Sequence, residues 1–213
     1  MNRTIETIRE NKIIAIIRGV SSDKIIPSCK ALYAGGVKCI EITFNQSSQR
    51  GNEETYNAIK SIKETMADEI CLGAGTVMTI EQVELAYKAG ATYIISPNYD
   101  KVVVGKTLEL GLVSIPGVLT PSEVVDANMQ GASFAKLFPA GVFGLEYIKA
   151  IKAPISHIPM LAVGGIDVDN IKQFMDCGLA GVGVGSSLVN KKLINEDKFE
   201  ELTQLAKAFV DQL

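Results

Sequence analysis

Short apolar runs alternate with amphipathic stretches along most of the chain. Apolar runs of a few residues are typical of buried strands, and apolar positions three and four residues apart are typical of helices. The pattern predicts a leading helix over residues 1–10 and a closing helix over residues 197–212. Between them it predicts strands over residues 13–17, 39–44, 70–74, 93–96, 112–115, 133–137, 160–163 and 181–185. It also predicts helices over residues 24–34, 53–66, 80–89, 100–110, 122–129, 144–151 and 169–176.

Eight strands, each followed by a helix, predict an α/β fold with a parallel sheet. Eight is also the number of strands that closes a (β/α)8 barrel, or TIM barrel. The repeating unit of roughly 20 to 30 residues has the size of one strand-helix step. We therefore expect residues 1–213 to form a single (β/α)8 barrel domain with an extra N-terminal helix. An open, doubly wound sheet is the alternative.

Polar residues, prolines and glycines collect at the carboxyl ends of the predicted strands. In chain order these residues are Arg18, Glu41, Thr43, Thr76, Pro97, Lys136, Gly164, Gly165, Gly185 and Ser186. Active sites of (β/α)8 barrels lie at this end of the strands. The predicted fold would therefore bring these residues to one rim.

Side-chain alternation places two charged residues inside the predicted barrel. In the second strand, Glu41 and Thr43 alternate with three apolar residues. Because successive side chains of a strand point to opposite faces, the apolar residues would meet the helices and Glu41 would face the interior. In the sixth strand, Lys136 shares its face with Phe134 and Phe138. A lysine and a glutamate would then face one lumen.

Lys136 stands among apolar and small residues in a strand that a proline ends. Burying an ammonium ion without a partner is costly, and desolvation lowers the pKa of a lysine. A neutral amine is a nucleophile toward carbonyl groups, so this position favours an imine-forming enzyme. A buried Glu41 would have a raised pKa suited to proton transfer. The alternatives are a Lys136 that extends into solvent and a Glu41 in a structural ion pair.

Two glycine-containing loops follow the seventh and eighth predicted strands, one with Gly164 and Gly165 and the other with Gly185 and Ser186. The loops after these two strands are a frequent phosphate site of (β/α)8 barrels. Glycine lets the backbone approach an anion, and the N–H groups of a following helix point at it. The pattern favours phosphate binding, and tight turns with a capping serine are the alternative.

Composition narrows the classes of function. The net charge is −3, so no nucleic-acid partner is expected. With His157 as the single histidine, a histidine triad or a histidine-rich metal site is not expected. The four cysteines lack C-x-x-C spacing, and no apolar run is long enough to span a bilayer. With no apolar signal region at the N-terminus, we expect a cytoplasmic protein with reduced cysteines and no membrane partner.

Seven segments carry a resemblance to one enzyme family, in order and over nearly the whole chain. They are IEITF at 40–44, GAGTV at 73–77, ISP at 95–97, IPGV at 115–118, KLFPA at 136–140, GG at 164–165 and GVGS at 183–186. On these segments the chain resembles the 2-keto-3-deoxy-6-phosphogluconate (KDPG) aldolases, also described as 4-hydroxy-2-oxoglutarate (KHG) aldolases. The Lys-x-Phe-Pro-Ala segment with the upstream Glu-x-Thr strand is the specific part.

The resemblance implies a metal-independent class I aldolase without a cofactor, assembled as a homotrimer. Such an enzyme cleaves KDPG to pyruvate and glyceraldehyde 3-phosphate, or KHG to pyruvate and glyoxylate. By position, Lys136 would be the Schiff-base lysine, Glu41 the acid–base residue and Thr76 a carboxylate-binding residue. The implied phosphate site comprises Gly164, Gly165, Gly185 and Ser186, and the remaining predicted substrate contacts are Arg18, Thr43, Asn45, Pro97 and Phe138.

One position departs from the family pattern. The family usually has Arg-Thr after the Glu-x-Thr strand, and that arginine helps to hold the substrate carboxylate. This chain has Asn45 and Gln46 there. Arg18 at the neighbouring strand end would compensate, or Asn45 would bind the carboxylate less strongly. The substrate preference therefore stays open, including a shorter or differently charged acid.

Two functions of other classes are alternatives. A phosphate-binding isomerase or synthase would use the same barrel with Lys136 as an electrostatic or acid–base residue, because a fold does not determine chemistry. A non-catalytic protein that binds a keto acid or a sugar phosphate is the second alternative. Such a protein has no need of both Glu41 and Lys136.

Overall fold

A ring of parallel strands surrounded by helices forms the fold. The structure is a computed structural model that describes residues 2–66 and 69–213. The strands are β1 (Ile13–Ile17), β2 (Cys39–Thr43), β3 (Cys71–Gly75), β4 (Tyr93–Ile95), β5 (Val113–Ile115), β6 (Gly117–Val118), β7 (Ala135–Leu137), β8 (Met160–Val163) and β9 (Gly181–Val184). The helices are α1 (Arg3–Asn11), α2 (Ser22–Ala34), α3 (Gly51–Met66), α4 (Ile80–Ala89), α5 (Lys101–Glu109), α6 (Pro121–Met129), α7 (Ala140–Lys152), α8 (Ile171–Asp176), α9 (Lys191–Asn195) and α10 (Phe199–Val210).

The barrel closes around Pro116. The strand order is β5-β4-β3-β2-β1-β9-β8-β7-β6, so the sheet begins and ends with two consecutive pieces of chain. Proline has no N–H to donate to a strand ladder, and the chain is divided here: β5 pairs with β4, and β6 pairs with β7. The carbonyls of Ser114 and Pro116 accept hydrogen bonds from the N–H groups of Ser133 (3.0 Å) and Lys136 (2.9 Å). The predicted (β/α)8 barrel and its fifth strand at residues 112–115 are confirmed, whereas the short strand β6 after Pro116 was not predicted.

Two groups of buried side chains separate the inside of the barrel from its outside. Ile40 and Ile42 of β2 belong to the larger group, which packs between strands and helices. Cys39 of the same strand belongs to the smaller group inside the barrel, together with Tyr93. The alternation predicted for β2 is therefore confirmed. Ile8 of α1 also lies in the inner group, so α1 covers the amino-terminal ends of the strands.

The largest differences from the predicted elements lie near the end of the chain. The predicted closing helix over residues 197–212 corresponds to α10. A short helix that was not predicted, α9, precedes it and is separated from it by Asp197 with a positive φ of 57°. Asn190 begins α9, since its side-chain oxygen accepts hydrogen bonds from the N–H groups of Lys192 and Leu193. The leading helix is Arg3–Asn11, and Met1 lies outside the described residues. Within residues 2–66 and 69–213, no helix combines the length and the apolar character that crossing a membrane requires.

Candidate active site

Lys136 lies in the middle of β7 and is only 6% exposed. Its Nζ atom lies 4.9 Å from the centroid of the Phe138 ring. Burial lowers the pKa of Lys136, the negative charge of Glu41 opposes this shift, and the positive charge of Arg18 adds to it. The alternative of a lysine extended into solvent is therefore wrong. A buried lysine with a lowered pKa has a larger fraction of neutral, nucleophilic amine at neutral pH.

Glu41 lies in β2 and is 1% exposed. Its carboxylate occupies the space beside Gly75 of β3, because a Cβ atom at position 75 would overlap it. A Cβ atom at Gly73 would likewise overlap the ring of Tyr93. Two large side chains from the neighbouring strands therefore lie against the backbone of β3. This packing inside the barrel explains the two glycines of the GAGT segment.

The electrostatic environment of Glu41 mirrors that of Lys136. Burial raises the pKa of the Glu41 carboxyl, while the positive charges of Lys136 and Arg18 oppose the shift. Within the described part of the chain, its Oε2 atom has no hydrogen-bond partner. A buried carboxyl with a raised pKa and an unused oxygen can accept a proton and return it.

Arg18 and Thr76 meet at the rim above these two residues. The Arg18 Nη2 donates a hydrogen bond to Thr76 Oγ1 at 2.9 Å. Thr76 has a φ of 56°, which a β-branched residue rarely adopts. Gln46 stabilises this conformation, since its Nε2 donates to the Thr76 carbonyl at 2.7 Å, and Gln82 Nε2 donates to Gln46 Oε1 at 3.1 Å. Sequence reasoning missed the part played by Gln46 and Gln82, because no motif or spacing marks it.

The other predicted substrate contacts differ in whether their polar groups already have hydrogen-bond partners within the protein. Thr43 is 6% exposed, and its hydroxyl donates to the Ile17 carbonyl at 3.3 Å. Asn45 is exposed, and its side-chain oxygen accepts a hydrogen bond from the N–H of Ser47 at 3.1 Å. That contact holds the turn after β2 and leaves the two amide N–H donors of Asn45 for a ligand. Pro97 is half-buried after β4.

The loop after β8 lies next to the end of β7. Gly164 and Gly165 have φ values of 94° and 76°, a region that favours glycine. The Gly164 carbonyl accepts a hydrogen bond from the N–H of Gly141 at 2.8 Å, at the start of α7. A Cβ atom on Gly164 would lie 3.5 Å from the ring of Phe138, which is 40% exposed. This loop therefore shares a rim with Lys136.

In the loop after β9, the backbone at the same rim has open space beside it. A Cβ atom on Gly185 would meet nothing within 4 Å, and Ser186 is exposed. A cation that sequence reasoning missed lies nearby. The Nζ atom of Lys191 lies 3.2 Å from the position of a Cβ atom on Gly19, directly after Arg18. Lys191 begins α9, a helix that the sequence pattern did not predict, so no signal pointed to it.

Three comparisons relate this chain to known proteins. The family model described as KDPG and KHG aldolase matches residues 4–205. The 2-dehydro-3-deoxy-6-phosphogalactonate aldolase of Escherichia coli (strain K12) is 34% identical over 199 residues, which are 93% of this chain and 92% of that protein. The 2-dehydro-3-deoxy-phosphogluconate aldolase of Haemophilus influenzae is 32% identical over 208 residues, which are 97% of this chain and 95% of that protein.

A solved structure agrees with these sequence matches. It is a KDPG aldolase from Legionella pneumophila with pyruvate captured at low pH as a covalent carbinolamine intermediate. The two folds superpose with a TM-score of 0.86 at 25% sequence identity, over 98% of each chain. With the buried lysine, the family match and these relatives in agreement, the chain belongs to the KDPG and KHG aldolase family of class I aldolases.

Proposed function

We propose that this aldolase releases pyruvate from a 2-keto acid through an imine on Lys136, with Glu41 as the acid–base residue. The observation that carries the proposal is the burial of a lysine with a lowered pKa in the same barrel as a buried glutamate with a raised one. Relatives of the chain are named for phosphogalactonate and phosphogluconate derivatives, and a structural relative holds pyruvate as a carbinolamine. These names support a substrate of the KDPG or KHG type.

The first steps form the imine. The neutral amine of Lys136 attacks the C2 carbonyl of the substrate, and the resulting carbinolamine takes up a proton and loses water. The product is a protonated imine, which withdraws electrons from the C3–C4 bond. Burial of Lys136 favours the reactive form, since it destabilises the ammonium ion relative to the amine.

The next steps cleave the carbon–carbon bond. Glu41 takes the proton of the C4 hydroxyl, directly or through a water molecule, and the bond breaks to an aldehyde and an enamine. Glu41 then returns a proton to C3, and hydrolysis of the imine releases pyruvate. General acid–base help of this kind contributes on the order of 10²–10⁴-fold to the rate.

The rim residues would orient the substrate. Arg18, already bonded to Thr76, presents a planar guanidinium that matches a carboxylate. We assign the distal phosphate to the loops after β8 and β9, where the open backbone of Gly185 and the exposed Ser186 face solvent. Lys191 would add a positive charge to this part of the site.

Borohydride reduction in the presence of pyruvate, followed by mass spectrometry, tests the proposal. We expect a pyruvate-derived adduct on Lys136. Lys152, whose pKa is also lowered by burial, lies at the far end of α7 and serves as the internal control that stays unlabelled. Lys136→Ala should abolish both adduct and turnover, whereas Glu41→Gln should retain the adduct and lose about two orders of magnitude in kcat. A folded wild-type protein that forms no adduct would contradict the proposal and favour an isomerase or a binding protein.

A panel of 2-keto acids identifies the substrate. Values of kcat/KM for KDPG, for its galactonate counterpart and for unphosphorylated KHG, measured in wild type and in Asn45→Arg, separate the possibilities. If Asn45→Arg changes none of them, the missing family arginine has no bearing on specificity. A gain for all three acids would show that Arg18 does not replace it.

We also propose a cytoplasmic homotrimer. The four free cysteines suit a reducing compartment. Large apolar side chains on the surface support an interface between subunits, with Met129 and Val142 each 79% exposed and Val102 60% exposed. Light scattering after gel filtration should give three times the 22.8 kDa mass of the chain. A monomer mass at micromolar concentration would contradict the trimer.

A further inference from the structure

Two cysteines lie side by side at the floor of the barrel, by which we mean the amino-terminal strand ends covered by α1. Cys39 begins β2, Cys71 begins β3, and the two residues are direct partners in the parallel ladder. Neighbouring strands lie about 4.8 Å apart, which falls within the Cα separation of disulfides, about 4.4–6.8 Å. Cys39 belongs to the inner group of buried side chains, and Cys71 packs against the same group. The backbone therefore holds the two sulfur atoms in reach of each other.

The two thiols have different access to solvent. Cys39 is completely buried, whereas Cys71 is half-exposed in the wall of a cavity of about 500 Å³. The Sγ atom of Cys71 lies 3.7 Å from Thr92 Oγ1, and Thr4 lines the same cavity. A small reagent in this cavity reaches Cys71 first.

The surroundings stabilise a thiolate on Cys71. The neighbouring Cys39 thiol lowers the pKa of Cys71, burial opposes the shift, and the hydroxyls of Thr92 and Thr4 and the charge of Arg3 lower it further. The neighbouring Cys71 and burial raise the pKa of Cys39. The charged residues that line the cavity from the elements around it are Arg3, Glu6, Glu10, Lys38, Lys63 and Glu69.

We propose that Cys71 and Cys39 form a peroxide-reactive dithiol site at the floor of the barrel. In the first step the Cys71 thiolate attacks a peroxide oxygen. An S–O bond forms, the O–O bond breaks, and the leaving hydroxide or alkoxide takes up a proton, so that sulfur is oxidised to sulfenic acid and peroxide is reduced. In the second step the Cys39 sulfur, losing its proton, attacks the Cys71 sulfur. An S–S bond forms, the S–O bond breaks, and water leaves.

The chain contains a matched control for the reactivity of Cys71. Cys177 is also half-exposed, but its Sγ atom donates to the Gln173 carbonyl at 3.4 Å, and burial raises its pKa. Burial raises the pKa of Cys29 to about 12. Trypsin places each cysteine on its own peptide, namely residues 25–30, 39–50, 64–88 and 173–191. Competing reactions at the four thiols can therefore be followed in one digest.

Alkylation kinetics test the nucleophile. With iodoacetamide at pH 7, we expect Cys71 of the folded protein to react at least about tenfold faster than Cys177, because the thiolate is the reactive form. After unfolding in guanidinium chloride, the four cysteines should react at similar rates. Equal rates for Cys71 and Cys177 in the folded protein would overturn the proposal.

Peroxide treatment tests the pair. Hydrogen peroxide followed by N-ethylmaleimide should join peptides 39–50 and 64–88 with the loss of two hydrogens, and dithiothreitol should reverse the link. Cys39→Ser should leave a sulfenic acid on Cys71 that dimedone traps, and Cys177→Ser should leave the cross-link unchanged. Lys136→Ala, which lacks the proposed imine lysine, should form the cross-link as wild type does. If folded wild type shows no joined peptides while Cys177 is oxidised, the dithiol site does not exist, whatever the outcome for the aldolase site.

Discussion

The carboxylate of Glu41 lies in the space that a side chain on Gly75 would fill. The two residues belong to neighbouring strands, and β3 carries no side chain at the positions where Glu41 and Tyr93 cross it. The proposed acid–base group thus fits in its position only because residue 75 on the next strand is a glycine and has no side chain.

Gly75→Ala should displace Glu41. A methyl group there overlaps the carboxylate, so we expect kcat to fall by about two orders of magnitude while borohydride still traps pyruvate on Lys136. Gly105→Ala in α5 is the matched control, since its Cβ atom would lie 3.9 Å from its nearest neighbour. This control should retain full activity and gain about 0.5–1 kcal/mol of stability. An active Gly75→Ala enzyme would show that Glu41 is not the acid–base group.

The pH dependence of imine formation should respond in opposite directions to two substitutions. The Glu41 charge raises the pKa of Lys136 and the Arg18 charge lowers it. Only the neutral amine reacts, and its fraction rises as pH passes the pKa. In Glu41→Gln the pKa of Lys136 falls, so the acidic limb of adduct formation should move to lower pH. In Arg18→Gln it should move to higher pH.

Rates of borohydride trapping at saturating pyruvate, measured across pH, provide this comparison. Arg50→Gln is the control, because Arg50 is exposed and pairs with Glu53 on α3. Shifts of the same sign for Glu41→Gln and Arg18→Gln would contradict the electrostatic account.

Thr76→Asn should raise the stability of the protein and lower its activity. A β-branched residue with a φ of 56° carries backbone strain of about 1–3 kcal/mol, and asparagine adopts this region more readily. We expect urea denaturation to show a gain of about 1 kcal/mol, and kcat/KM to fall because Arg18 loses its hydroxyl partner. Lys12→Asn, at φ 59° on the barrel floor, should leave kcat/KM unchanged. If kcat/KM of Thr76→Asn did not change, Thr76 would not belong to the substrate site.

Lys191→Gln should weaken the binding of phosphorylated substrates alone. Loss of one cation beside the proposed phosphate loops should raise KM for a phosphorylated 2-keto acid about tenfold, equivalent to about 1.4 kcal/mol. KM for an unphosphorylated acid should not change. The neighbouring Lys192→Gln, also exposed on α9, is the control for net charge. Equal effects of the two variants would place the phosphate elsewhere.

Tyr93→Phe should stabilise the protein. Among the described residues, the Tyr93 hydroxyl is buried without a hydrogen-bond partner, and such a group costs about 1–3 kcal/mol. Phenylalanine keeps the ring that fills the space beside Gly73. Urea denaturation should show a gain of about 1 kcal/mol. A loss of stability would mean that the hydroxyl is hydrogen-bonded in solution.

Prediction from sequence was most successful where a local pattern is sufficient. The alternation in β2 assigned Glu41 to the inside of the barrel, and the eight apolar runs marked the eight strand positions. It missed two short elements, β6 after Pro116 and α9 before Asp197. A strand of two residues and a helix of five are too short to show a hydrophobic period.

The sequence by itself predicted the barrel, the rim on which the polar residues collect and the lysine that we propose forms the imine, because strand period, glycine positions and motif order are local properties. Only the tertiary structure decided that Gln46 and Gln82 support Thr76, that Lys191 reaches the rim, and that Cys39 and Cys71 are partners. These contacts join strands and helices that are distant in the chain. Closing the sheet sets their distances, and no local pattern contains that information.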